Sequence, residues 1–311
     1  MPLPKGWMMT TCFACEGTRF RQIRLGGPWS LSECAYCGSA QLDPLPTEDQ
    51  LREAYSSSYY GADGSKFLRP LEKVMQGLAE REAAVLVSEL GANSTILDIG
   101  CGRGLVAGAL SHRGITSIGV ERSESAARGL DPRVKLIIDP EITLQDVPVG
   151  SCDAVIFRHV LEHLRSPREV LERARERLRP RGTIFIEVPD WRSPQAQLFR
   201  ANWFHLDPPR HLWHFTCEGL EALLKAAGLR GKPYTSISLA QDAMGWLQSG
   251  LHAVGRPRNA FFDGLRHGSA KPGLRDFALA AALAGPALAA TACGTAAGRG
   301  SVLRVSAVPQ I

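Results

Sequence analysis

Beyond Gly91 the chain alternates short apolar runs with longer stretches of mixed polarity. The runs at 95–99, 116–120, 134–138, 153–157 and 183–188 are mostly apolar, the pattern of strands covered on both faces. Helical stretches separate most of them, Leu105–Leu110 among them, and Ser301–Val308 reads as one more strand. This alternation specifies an α/β fold, a doubly wound and mostly parallel sheet with ligands at the carboxyl ends of its strands. Upstream, Leu71, Val74, Met75, Leu78 and Val85 recur at helical spacing and predict a helix over Phe67–Leu90. The chain thus divides into a leading segment 1–45, a connector with helices 46–90, and an α/β domain 91–311.

The periodicity fails between 241 and 300. Uncharged residues run from Phe277 to Gly298, long enough for a membrane span but rich in alanine and broken by Gly285-Pro286. Because the sheet needs the strand that follows, 241–300 is expected to be a helical insertion. It would cover the active site, pack on a second subunit or touch a membrane surface. A net charge of +5, spread among many acids, argues against a nucleic-acid partner. The first residues lack the continuous apolar stretch of a secretory signal, so a cytoplasmic setting is expected.

In such a setting the eight cysteines read as metal ligands or buried thiols. Cys12-x-x-Cys15 and Cys34-x-x-Cys37 are separated by 18 residues, the spacing of a four-cysteine zinc site. A segment this short cannot bury a useful core, so structural zinc would supply its folding energy. Asp43-Pro44-Leu45-Pro46 makes a rigid connector, and Thr47 with Gln50 forms a capping box ahead of the next helix. Tyr55, Tyr59 and Tyr60 then precede a glycine-rich break. They either lie across the mouth of the site or pack the linker onto the domain.

The run Ile96-Leu-Asp-Ile-Gly-Cys-Gly-Arg-Gly104 carries the sharpest chemistry. Glycines at 100, 102 and 104 let the backbone turn after a strand and let a ligand approach without meeting a Cβ. A dinucleotide fingerprint wants glycine at the sixth position from Gly100, where Leu105 stands, and has no use for Asp98 beside a pyrophosphate. Asp98 suits a cationic ligand. Glu121 ends the next apolar run, placed to accept hydrogen bonds from a ribose diol. An acidic glycine loop plus a ribose-binding acid fits S-adenosylmethionine, a nucleoside that carries an ammonium and a sulfonium.

On these residues the chain resembles the class I S-adenosylmethionine-dependent methyltransferases. Cys152–Leu164 looks like the family's fourth strand and the helix after it, and Leu178–Pro189 like its fifth strand. The resemblance implies a seven-stranded Rossmann-like methyltransferase sheet. It implies cofactor contacts from Asp98, Gly100, Cys101, Gly102, Glu121 and Arg122, and from Arg158 near the methionine half. Asp139, ending the third strand, is a partner for the adenine amino group, with Glu141 and Asp146 as alternatives. A zinc segment ahead of the catalytic domain also resembles a subset of methyltransferases that act on sugars and natural products.

The acceptor side is less clear. His159-x-x-Glu162-His163 spells an inverted zinc-protease motif. In the resembled family such a run occurs without catalytic zinc, so Glu162 and His163 are expected to fix the helix and nearby loops. Asn202–Thr216 gathers three histidines, and its Pro-Arg-His-Leu-Trp-His-Phe-Thr resembles a run in one branch of the class. For a hydroxyl acceptor a general base helps remove the proton, and His211 is the first candidate, then His205, with His159 a third. Equally, these histidines satisfy buried backbone groups. Thr216 is expected to cap a helix over Leu220–Ala227. The function expected is O- or C-methylation of a small-molecule acceptor such as a sugar or polyketide-like metabolite. Methylation of RNA or protein, with the zinc module and Arg19, Arg21 and Arg24 in recognition, and a non-catalytic scaffold are the alternatives.

Overall fold

The computed structural model describes residues 10–55, 69–265 and 273–310; Tyr59, Tyr60 and Phe67 lie outside them. β1 (Phe20–Arg24), β2 (Ser30–Cys34) and β3 (Ala40–Asp43) form an antiparallel meander. α1 (Glu48–Ala54) opens on the expected capping box: Thr47 Oγ1 accepts from Gln50 N while Gln50 Oε1 accepts from Thr47 N. α2 (Arg69–Leu90) ends at Gly91 and leads into the α/β domain.

Its elements follow in order: β4 (Thr95–Ile99), α3 (Leu105–Ser111), β5 (Thr116–Glu121), β6 (Lys135–Ile138), β7 (Cys152–Arg158), α4 (Pro167–Arg177) and β8 (Leu178–Pro189). Then come α5 (Pro194–Phe199), β9 (Trp213–His214), α6 (Cys217–Ala226), β10 (Leu229–Arg230), β11 (Tyr234–Ser236), α7 (Leu239–Ala253), α8 (Ala260–Gly264), α9 (Leu274–Ala296) and β12 (Val302–Pro309). The main sheet runs β10-β12-β8-β7-β4-β5-β6, with β11 also on β12. The pairs among β4 to β8 are parallel, and β12 runs antiparallel to β8. It therefore has eight strands where seven were expected, because two short pieces, β10 and β11, share the outer edge of β12.

The strands read as continuous apolar runs because both faces are covered. Ile96, Ala154 and Ile156 pack under Ala79, Ala83 and Leu86 of α2 and Val106, Ala109 and Leu110 of α3. Their neighbours Leu97, Val155 and Phe157 point the other way, into a core shared with Val170, Leu171 and Ala174 of α4 and Leu220 and Leu223 of α6. Thr216 caps α6 as expected, its Oγ1 accepting from Gly219 N.

Two expectations change. The segment after β7 is not the start of a long helix. His159 takes a left-handed φ of 52°, only Leu161–His163 closes a single 3-10 turn, and α4 begins six residues on from Leu161, at Pro167. Nor does the four-cysteine segment stand apart from the α/β domain. β9 pairs with β3 and completes its sheet, Phe13 packs on Trp213 with ring centroids 4.4 Å apart, and Thr216 Oγ1 donates to Cys37 O. Cys12, Cys34 and Cys37 thus lie in the same apolar core as Leu161, Trp213 and Phe215.

The insertion is helical, as expected. α7 and α9 pack against each other, and Arg256 Nε donates to Asp276 Oδ1 at 2.6 Å near the start of α9. α9 is long and apolar enough to cross a membrane by length and composition alone; 17% of its most apolar window is buried within the protein.

Candidate active site

At the carboxyl ends of β4 and β5 the backbone opens a cavity of about 690 Å³. The glycine loop forms one wall. Gly100 has φ +64°, and a Cβ there would meet Val160 at 2.5 Å; Gly102 has φ +55° and open space where its Cβ would stand. A side chain at 102 would therefore fill the cavity's edge. Gly104 begins α3, whose first-turn amides follow the loop. Asp98 lies beneath the loop at the end of β4, 3% exposed, and burial pushes its carboxyl up to about 7 although Arg158 pulls it down. A buried acid that resists ionising fits a cationic ligand. Glu121 lines the cavity at the end of β5, one oxygen accepting from Arg122 N.

Other cofactor candidates distribute differently. Arg122 and Arg158 line the cavity; Arg158 donates to Glu82 Oε2 of α2 at 2.5 Å. Burial opposes its charge, but Glu82, Asp98 and Glu187 raise its pKa. Asp98, Cys101 and Asp139 are not among the lining residues. The Cys101 thiol turns back toward Gly119 of β5, where a Cβ would meet its sulfur at 2.7 Å. Asp139 Oδ2 accepts from Thr143 Oγ1 and Leu144 N, which ties the carboxylate to its own loop. Ile142, from that loop, faces the cavity instead.

The same cavity is also lined by His159, His163, His205 and His211. Burial opposes the charge on His159, but the carboxylates of Glu162 and Glu187 beside it raise it to about 9. Its Nε2 meets Glu187 Oε1 at 3.0 Å, and Arg304 holds the other Glu187 oxygen. Despite its burial Glu187 falls to about 2, with His159 the main cause. The pair is a fixed imidazolium–carboxylate at neutral pH, so His159 is no proton acceptor. His205, pushed down to about 3 by burial, is neutral. His211 lies well below its usual value for the same reason. The Nδ1 of His211 stands 2.7 Å from the His205 carbonyl oxygen, which can only accept, so Nδ1 carries the proton and Nε2 keeps a lone pair.

The four cysteines form a second site. Cys12 and Cys37 sulfurs are 3.7 Å apart and those of Cys15 and Cys34 3.6 Å, with all four within 4.8 Å of one another. Zinc–sulfur bonds of about 2.3 Å in a tetrahedron put sulfurs about 3.8 Å apart, so this set fits zinc.

A family model described as a methyltransferase domain matches residues 71–232, a little over half of the chain. The chain belongs to that methyltransferase family. Among curated relatives of this methyltransferase, the ubiquinone biosynthesis O-methyltransferase of Pseudomonas paraeruginosa is 29% identical over 116 residues, 35% of this chain and 49% of that protein. An uncharacterized 37.1 kDa protein in a transposon of Streptomyces fradiae is 29% identical over 186 residues, 53% of this chain and 54% of that one. The methyltransferase chain spans about half the length of these relatives. The crystal structure of the cyclase SpnF superposes with a TM-score of 0.50 at 16% identity, covering 86% of this chain and 98% of that one, which shows a shared fold.

The sequence reading missed the walls of the cavity. Leu71, Val74 and Met75 of α2 and Ala243 and Met244 of α7 face it, whereas Tyr55, expected at the mouth or packing the linker, lines it from the end of α1. Glu187 was also missed. A lone acid inside Thr-Ile-Phe-Ile-Glu-Val-Pro was its signal, since a charge in a covered strand needs a partner.

Proposed function

We propose that this methyltransferase transfers a methyl group from S-adenosylmethionine to a small-molecule acceptor with an apolar body. The observation that carries the reading is one continuous cavity lined by the glycine loop and Glu121 together with His163 and His211. When bound, S-adenosylmethionine supplies an electrophilic methyl group on a sulfonium. Glu121 would accept from the ribose hydroxyls, and Asp98 would balance the amino group. Leu71, Val74, Met75 and Met244 would take the acceptor's apolar body and keep water from the reacting atoms. His211 Nε2 would meet the acceptor's polar atom and, for a hydroxyl, receive its proton.

One property of the curated relatives supports this: the ubiquinone biosynthesis enzymes are O-methyltransferases by name. The SpnF name is that of a cyclase, so fold alone does not supply the reaction. The four cysteines would hold a structural zinc. Calorimetry with S-adenosylhomocysteine should show micromolar binding, and Glu121→Ala should weaken it about tenfold or more, a loss of roughly 1.4 kcal/mol. No binding by the parent protein at millimolar ligand overturns the assignment.

A further inference from the structure

The inverted motif places Glu162 and His163 beside His159, and in the structure Glu162 has a histidine near it from each of two segments. His159 Nε2 is taken up by Glu187, while its Nδ1 stands 3.5 Å from Glu162 Oε1. A ring nitrogen of His211 and one of His163 lie with a Glu162 carboxylate oxygen within 4.8 Å of one another. Glu162 is 0% exposed, and neither of its oxygens completes a hydrogen bond among the described residues. The His159 imidazolium offsets the charge from 3.5 Å but leaves both oxygens without a direct bond, which a coordinated cation would supply.

The two histidines are prepared in the same way. His163 Nδ1 stands 3.0 Å from the Arg210 carbonyl oxygen, and His211 Nδ1 stands 2.7 Å from that of His205. Carbonyl oxygens only accept, so His211 carries its proton on Nδ1 and keeps Nε2 as a lone pair, and the same tautomer of His163 would serve both its carbonyl and the site. Backbone carbonyls that fix the tautomer in this manner are the usual outer partners of metal-binding histidines. Tyr55 Oη, 2.9 Å from His163 Nδ1, braces the same ring. His163 and His211 also face each other edge to face, with ring centroids 4.6 Å apart.

We propose that Glu162, His163 and His211 bind a divalent first-row cation, with the two histidines on the cavity wall and Glu162 buried beside them. Two imidazoles and one carboxylate leave coordination positions open, and the acceptor's oxygens would occupy them. Bond lengths of about 2.1 Å ask for ligand atoms about 3.3 Å apart, which side-chain rotation within the 4.8 Å set provides. The proposal rests on the reading of this cavity as the acceptor site and changes one part of it, since the cation rather than the proton would engage His211 Nε2.

The test uses the full chain with zinc in its cysteine site. Mn2+, the weakest binder in the divalent series, does not displace zinc from thiolates, and its unbound form is counted by electron paramagnetic resonance. One Mn2+ per chain should bind, and Glu162→Gln and His211→Ala should each weaken it about tenfold or more. Zinc content and S-adenosylhomocysteine affinity should stay unchanged in both variants, which shows that they fold. Zn2+ added in excess of the cysteine site should compete with Mn2+. The proposal falls if neither ion binds beyond the cysteine site at millimolar concentration, or if both variants bind Mn2+ like the parent. S-adenosylhomocysteine binding with no second metal would sink the cation site and leave the methyltransferase reading intact; loss of cofactor binding itself would sink that reading.

Discussion

Under the proposed function Asp98 should bring a pH dependence to cofactor binding. Its carboxyl titrates at about 7 in the unliganded protein because burial disfavours the charge. A ligand ammonium selects the ionised form, so affinity for S-adenosylhomocysteine should fall about tenfold between pH 8 and pH 6. Asp98→Asn should bind weakly and lose that dependence; a parent affinity that stays flat over the interval would detach Asp98 from the ligand. Stability of the unliganded protein runs the other way. The folded protein holds this proton up to about pH 7 and the unfolded chain only to about 3.8, so the contribution of Asp98 to stability declines as pH rises through that window. The rise in Tm caused by the ligand should therefore be larger at pH 8 than at pH 6.

Single residues were readable where the chemistry is local. Asp98, Gly100, Gly102 and Glu121 lie on two consecutive strands and their loops, and spacing alone indicates their grouping. The Cys101 thiol turns away from the cavity toward Gly119 of β5, which spacing does not express. The Asp139 carboxylate at its strand end has a second use, holding the amide of its own turn. The partnership of Glu162 and His163 with His211 crosses 48 intervening residues and depends on packing that no spacing expresses.

At the scale of elements, the informative contact is β3 with β9. Ala40 pairs with His214 and Gln41 with Trp213, two residues beyond His211. The four-cysteine module thereby holds the acceptor segment in place from behind. Trp213 adds a bond from its Nε1 to Leu164 O, linking the same segment to the turn that carries Glu162 and His163. Cys34→Ser should release the metal, shift Trp fluorescence to the red and slow methyl transfer about tenfold or more, with S-adenosylhomocysteine affinity nearly preserved. Equal losses of turnover and cofactor binding would mean that the whole domain unfolds with the module. The cysteine spacing forecast the site, but its strand partner is a two-residue piece with no periodicity of its own.

Across the whole molecule, α2 and α7 close over the sheet from two sides and leave the cavity between them. Helix–strand alternation made the sheet readable, since every strand covered on both faces shows as an apolar run. The insertion was readable only as helix, because its cover of the site depends on where Ala243 and Met244 face. Ala243→Trp should raise the acceptor KM about tenfold while S-adenosylhomocysteine affinity changes by no more than about twofold. Equal weakening of both ligands would place the cofactor, rather than the acceptor, under α7.

The pairing of β3 with β9 also sets an order of events during synthesis. Residues 40 and 41 leave the ribosome more than 170 residues before Trp213 and His214 do. At about 5–20 residues per second, that is a wait of roughly 10–30 s. Throughout it, one edge of the nascent module's sheet stays open to any other extended chain. A ribosome-bound chain stalled before residue 213 should be the form most prone to associate with its neighbours.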